Sequence, residues 1–392
     1  MTKPKSSIYS KAYHCPDGRD IHYAAARLRR DPNSPTSILD VDDDPDNASS
    51  KIIGACWIFF YPMGSNRRIL DAVISRYAPQ FECDKDVLFL CVNRPGKGGT
   101  SSSVAPDERQ HIWTTCDDIV TILDHYGIRK ASLLYMCAGS TFAYSFANLH
   151  PDYTTGYIIG IASWILRSDS SSSIVCNNTE NGDSQCDDIE TPQMHSLTHR
   201  MAMNGFFGPK WMVSSLAGGI VGSMSVIFSS VPPAWVGKGF KKELSDDERL
   251  MFDELYPDGV GFVEMMKWMH DDGCDDEISV FVNGYDNTCS ICNDANRGNK
   301  KEGDAKDVAV CLSTQQDLGL IYKNTVPAQR QVLLWHGESD KMIAMQGAGY
   351  LASMLPNATL TRVSRGTHQG TMFFFPDDAM EALNRISRDV SV

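Results

Sequence analysis

Three short segments of this 392-residue chain carry side chains that can act together. The first is Tyr135-Met136-Cys137-Ala138-Gly139, which sets a thiol between an apolar run and a helical pattern. A strand-turn-helix of this kind thrusts its apex residue above a sheet and aims the next residue's N–H at the same spot, so Cys137 occupies a nucleophile's position. The second segment, His336-Gly337-Glu338-Ser339-Asp340, follows a later apolar run, and the third, Gly366-Thr367-His368-Gln369-Gly370, follows the last one. In parallel sheets, reactive groups gather in loops at the carboxyl ends of strands. Each residue also has a plainer reading. Cys137 would serve as a small buried hydrophobe, His368 as a loop histidine bonded to backbone, and Asp340 as the cap of a helix beginning near Met342. The combination, each residue after its own strand and in the order nucleophile, acid, histidine, points to a nucleophilic site.

Hydrophobic patterning supplies the elements that must hold these loops. Pro16-Asp17-Gly18-Arg19 predicts a hairpin turn, and Ile52–Phe60 a buried strand. Ile69, Leu70, Val73, Ile74 and Tyr77 mark a helix, and Val87–Val92 is a second buried strand. A helix starting after Pro106-Asp107 and ending at Gly127 leads to strand Ala131–Met136, a helix over Ala138–Leu149 and strand Tyr157–Ser163. These are βαβ units, and they imply a mostly parallel sheet. Alternation breaks down between Trp164 and Thr325, where the clearest signal is a capping box at Ser245 and Glu248. It resumes with strand Gln331–Gly337, helix Ile343–Leu355, strand Thr359–Ser364 and a helix over Pro376–Val390. The expected organisation is a core at 1–164, a cap or lid at 165–325 and a second core part at 326–392. Residues 31–51, 168–190 and 283–307 read as solvated polar insertions, since none has an apolar period.

With the loop Asn93-Arg94-Pro95-Gly96-Lys97-Gly98 and the segment Leu334–Asp340, these motifs resemble the α/β-hydrolase fold family over about 11–164 and 326–390. The resemblance implies an α/β fold: a mostly parallel central sheet flanked by helices, with an inserted, largely helical cap. It implies Cys137 as nucleophile, His368 as general base and acid, and Asp340 as the group orienting His368. The oxyanion hole would use the N–H of Ala138 and one after strand 52–60, on Met63 or Gly64. The implied activity is hydrolysis of a carboxylic ester, thioester or lactone through an acyl-enzyme, with no cofactor and no metal. The chain departs from the family pattern in three places. Cys replaces the usual Ser, as in dienelactone hydrolase-like members; Tyr135 stands where a small residue is usual; and Asn93 replaces a common Asp. A thiol beside imidazole at a helix start is a competent nucleophile near neutral pH. A non-catalytic ligand-binding or regulatory protein retaining the fold is the alternative from another class, and acyl transfer to an acceptor other than water would use the same residues.

Composition narrows the field further. Lys and Arg total 36 against 49 Asp and Glu, a net charge of −13 that repels phosphate and excludes nucleic-acid binding as the main task. Twelve Cys in 392 residues are too few for a disulfide scaffold. Met1–Arg30 has no signal-peptide run, so the cytosol is the expected compartment, and sequons at Asn47, Asn177 and Asn357 read as chance matches. Trp211–Gly237 holds 27 uncharged residues, but its Ser, Gly and Pro content favours a buried cap element over membrane contact. Asp40, Asp42 and Asp44 imitate a calcium loop that Pro45 and Lys51 spoil. Cys289-Ser290-Ile291-Cys292 lacks a second pair of zinc ligands. His195 and His199 lack the Glu of a zinc protease, and Gly96, Gly98 and Gly99 lack a P-loop ending. Nine of the 17 Met lie between Met194 and Met269, beside Trp211, Phe228, Trp235, Phe262 and Trp268. A cap so rich in pliable side chains predicts a small acyl substrate with an apolar part. The sequence assigns no oligomeric state.

Overall fold

The computed structural model describes residues 10–31, 34–39, 54–77, 80–82, 85–102, 107–166, 209–222, 231–257, 259, 261–263, 266, 303–320, 322 and 331–390. Nine strands form one sheet: β1 (Ser10–His14), β2 (Asp20–Asp31), β3 (Ser34–Leu39), β4 (Ala55–Phe60), β5 (Val87–Val92), β6 (Ala131–Met136), β7 (Thr154–Ile161), β8 (Gln331–Gly337) and β9 (Ala358–Val363). Their order is β1-β2-β5-β4-β6-β7-β8-β9, with β3 on β2. β2 runs antiparallel to β1, β3 and β5, and every pairing from β5 through β9 is parallel. Every residue of β4, β5 and β6 is buried, which is why they read as unbroken apolar runs.

Alternate residues of these strands feed two cores. Cys56, Ile58, Leu90 and Leu133 face α2 (Glu108–His125) and α3 (Gly139–Leu149). Trp57, Phe59, Phe89 and Leu134 share the other core with residues of α1 (Ile69–Tyr77). Asp107 caps α2 by accepting the Gln110 N–H, and Gly127 ends it at φ +66. The segment between β7 and β8, expected as a cap and called so below, contributes α4 (Lys210–Gly222), α5 (Pro233–Lys241) and α6 (Asp246–Leu255), where both bonds of the Ser245–Glu248 capping box are made. Residues 303–311 form α7, followed by α8 (Met345–Met354), α9 (His368–Phe373) and α10 (Asp377–Asp389).

Besides shifts of a few residues at element ends, such as β7 starting at Thr154 rather than Tyr157, three features differ from the sequence reading. Ser34–Leu39, placed in a polar insertion, is a strand, because backbone pairing with β2 needs no apolar period. Asp304 and Asp307, placed in a solvated loop, are buried, and α7 packs on the core through Val310 and Cys311. The uncharged stretch after Lys210 is not a wholly buried cap element: Leu216 and Ile220 are 64% and 62% exposed, and Trp235 is 72% exposed. Among the described residues, no helix is long and apolar enough to cross a membrane.

Candidate active site

The turn that carries Cys137 begins where β6 ends at Met136. Cys137 takes φ +46, a left-handed conformation that only a tightly held turn imposes on a side-chain-bearing residue. The turn is tied on both sides: the Cys137 N–H donates to Ile161 O at 3.0 Å, and its carbonyl accepts from Ser140 and Trp164, each at 3.0 Å. Gly139 is required because a Cβ there would overlap the Phe60 carbonyl. Tyr135, the bulky residue two places before the thiol, leaves the turn intact because its ring passes over Gly160 of β7. Its hydroxyl bonds Tyr144 and Ser163, each at 2.8 Å.

The other two loops meet this turn. Asp340 follows β8 and divides its oxygens between two tasks. Its Oδ1 accepts the N–H groups of Met342 and Ile343, both at 2.8 Å, so it does cap a turn. Its Oδ2 accepts from His368 Nδ1 at 2.7 Å, which leaves Nε2 facing Cys137 Sγ at 3.3 Å. One carboxylate thus makes both the turn-capping bonds and the bond to His368. Burial works against charge on His368, yet Cys137 and the Asp340 bond outweigh it and raise the imidazole to about 10. Burial likewise opposes the Asp340 carboxylate, but His368 and the backbone N–H of Ile343 hold it below the ordinary range. His336 sits beneath, its Nε2 between Ile343 O at 2.9 Å and Asp340 Oδ2 at 3.3 Å, and burial lowers its basicity.

Among the described residues, the N–H groups of Ala138, Met63 and Gly64 meet no protein acceptor. Met63 packs against the same core cluster as Cys137 and Ala138, and Gly64 takes φ +76 in the turn after β4. This turn is fastened from below. Arg94 donates to Tyr61 O, and Lys97 Nζ donates to Ser65 O at 3.1 Å. Asn93 accepts the Arg67 N–H at 2.7 Å and donates to Gly98 O at 3.0 Å, so Asn93 and Gly98 serve loop geometry. The two cations meet their counter-charges on α7. Arg94 reaches Asp307 at 2.6 Å, and Lys97 reaches Asp304 at 2.5 Å, all four nearly fully buried. Burial would raise Asp307, but Arg94 and Lys97 hold its carboxyl well below the usual range. Sequence reasoning missed Asp304 and Asp307. The signal was the apolar run Val308–Leu312 directly after them, which marks a packed helix rather than a loop.

A cavity of about 220 Å³ borders His368, lined by Glu243, Ser339, Lys341, Met342, Thr367 and Gln369. All of these residues but Met342 are polar in type, yet more than half of the surface they present to the cavity is apolar. In the cap, Phe262 is buried with Phe252 and Leu244, and Met251 and Met266 pack against them. The motifs at Asp40–Asp44, His195, His199, Cys289 and Cys292 lie outside the described residues, as do Phe228, Trp268 and six of the nine cap methionines. Among the described residues, no cluster of three or more His, Cys, Asp or Glu is arranged to hold a metal ion.

No family model matches the sequence, and no curated protein does either. Solved structures do match. A thermophilic esterase from Thermogutta terrifontis aligns over 98% of this chain and 99% of its own, at 12% identity and a TM-score of 0.53. The 2-hydroxy-6-oxo-6-phenylhexa-2,4-dienoate hydrolase of Rhodococcus sp. strain RHA1 covers 98% and 100%, at 12% identity and 0.52. An α/β hydrolase from a Medee basin deep-sea metagenome library covers 97% and 98%, again at 12% identity and 0.52. The architecture that this chain shares with them is the α/β-hydrolase fold.

Proposed function

We propose that the protein is a hydrolase acting on a carboxylic ester, thioester or lactone through Cys137, His368 and Asp340. The observation that supports this reading most is the hydrogen-bonded chain from Sγ through both ring nitrogens of His368 to Asp340, built at three strand ends. In this mechanism His368 takes the thiol proton, and the thiolate attacks the carbonyl carbon. The oxyanion forms beside the N–H groups of Ala138 and of Met63 or Gly64, at roughly 3–4 kcal/mol of transition-state stabilisation per donor. Collapse breaks the bond to the leaving group, which takes its proton from His368 and leaves a thioester on Cys137. Water then gives a proton to His368, attacks the thioester and releases the acid with the thiol restored. The cavity beside His368 pairs a largely apolar surface with the polar side chains of Glu243, Ser339, Lys341, Thr367 and Gln369, which fits a substrate with an apolar part and a polar group.

The test is a panel of aryl esters and thioesters with a common leaving group, followed by mass spectrometry of the quenched protein. An acyl adduct on Cys137 that is lost in Cys137→Ala is expected, with Cys137→Ser slower than wild type because a hydroxyl is far less acidic than a thiol. Turnover that survives Cys137→Ala would refute the reading.

A further inference from the structure

The capping box of α6 does more than start a helix. Its Glu248 is 8% exposed and accepts the Ser245 N–H at 2.9 Å, as the motif requires. The same carboxylate reaches out of the cap into the loop that carries His368. It accepts the Thr367 N–H at 2.8 Å and the Thr367 hydroxyl at 2.9 Å. Thr367 Oγ1 in turn accepts the Gly370 N–H at 3.0 Å, closing the first turn of α9, whose first residue is His368. The carboxylate sits so close over Gly370 that a Cβ there would displace it. The far end of α9 is held by the cap as well. The Phe373 ring lies 5.5 Å from Phe240 and 6.0 Å from Phe262, and Phe374 is buried in the cap's own cluster. A six-residue helix cannot fix its own direction, so its contacts at both ends do so.

We propose that Glu248 is a positioning residue that holds the imidazole of His368 at Cys137, so that the base is set only while α6 of the cap is seated. The proposal rests on the reading of Cys137 and His368 as a reacting pair. Glu248 touches neither of them; it acts through the backbone and hydroxyl of Thr367. When the clamp is released, α9 loses the tie at its first turn, and the 3.3 Å contact between Nε2 and Sγ opens. The thiol then has no imidazole to take its proton near neutral pH. The titratable groups facing His368 are Cys137, Asp340 and His336, with Glu243 and Lys341 across the cavity, and the substitutions below alter none of them.

The experiment needs no substrate. Iodoacetamide alkylation of Cys137 is followed by mass spectrometry near pH 6 and near pH 9, with melting temperatures for each variant and glutathione as the free-thiol reference. In wild type the rate near pH 6 is expected to lie well above that of glutathione. Glu248→Ala should lower the rate near pH 6 by about tenfold or more while leaving that near pH 9 nearly unchanged, because a thiol without its imidazole ionises only at the higher pH. Thr367→Val, which removes the hydroxyl at constant shape, should act in the same direction and serves if Glu248→Ala fails to fold. Asp247→Ala, which breaks only the exposed contact to Arg365, should leave the ratio at the wild-type value. Wild-type ratios in both Glu248→Ala and Thr367→Val would overturn the proposal. A wild-type protein that reacts no faster than glutathione near pH 6 would overturn the reacting pair itself, and the clamp with it.

Discussion

Replacing Asp340 with Asn separates two tasks that one carboxylate performs. The amide keeps an oxygen for the N–H groups of Met342 and Ile343, so the turn after β8 stays closed. On the other side an NH₂ now faces His368 Nδ1, and two donors cannot bond each other. The ring is driven to the tautomer with its hydrogen on Nε2, pointing at Cys137 Sγ where a lone pair is needed. Where the acid of such a triad is replaced by its amide, the wrong tautomer lowers turnover by about 10⁴. At 1.36 kcal/mol per decade, that is about 5 kcal/mol of barrier, and a rate lowered by roughly 10²–10⁴ is expected here. Asp340→Ala adds a second loss, because two N–H groups then lack an acceptor, at about 1–3 kcal/mol each for those that stay buried. The two variants should therefore be about equally slow in acyl release from an aryl ester, but Ala should unfold at clearly lower urea than Asn. An Asn variant within about threefold of wild type, a barrier change under 1 kcal/mol, would show that Asp340 only shapes the turn.

Three further outcomes follow from the same coordinates. Asp307→Asn leaves buried Arg94 without its carboxylate, so urea unfolding should show a loss of about 3–5 kcal/mol, and a neutral result would mean that the network contributes little. Gly139→Ala pushes a methyl against the Phe60 carbonyl and should cost about 1–3 kcal/mol in the same assay, together with acylation rate. Burial raises the Asp71 carboxyl to about 8, above its unfolded value, with Arg68 and Arg67 opposing. Between the unfolded value and about 8 the unfolded chain has released this proton and the native protein has not, so stability falls by about 1.4 kcal/mol per pH unit. Asp71→Asn removes that dependence. Its gain over wild type in urea unfolding should grow from pH 5 to pH 8, and a pH-independent difference would contradict the shift.

What was legible in the sequence is what periodicity and turn chemistry encode locally. Val87–Val92, Ala131–Met136 and Gln331–Gly337 are strands over the very residues expected, because strands covered on both faces carry unbroken apolar runs. The order Cys137, Asp340, His368 was readable because each follows such a run. Partners distant in sequence were not readable. Nothing near Asp307 announces Arg94, 213 residues away, and nothing near Tyr135 announces that Gly160 makes room for it. The capping box at Ser245 and Glu248 was read correctly as a helix start, but its reach to Thr367 spans 119 residues. Helix α8 begins at Met345 rather than Ile343, because the Asp340 carboxylate holds a turn at Met342 and Ile343 that precedes it.

The parallel register of β7 and β8 also sets a timetable. Tyr157 pairs with Gln331, so a long stretch of chain must be made and set aside before the sheet can grow past β7. The first seven strands and the turn at Cys137 emerge from the ribosome without needing anything that comes later to pair their backbones. His368 lies 231 residues beyond Cys137. At typical synthesis speeds of about 5–20 residues per second, the nascent chain carries its thiol for roughly 10–50 seconds before the imidazole exists. Throughout that interval Cys137 is an ordinary thiol in a half-built sheet, and it gains its partner only when the last strands dock. The contact between Cys137 and His368 is thus left to the last part of the chain, and joining segments so far apart in sequence carries the loop-closure cost that slows such contacts.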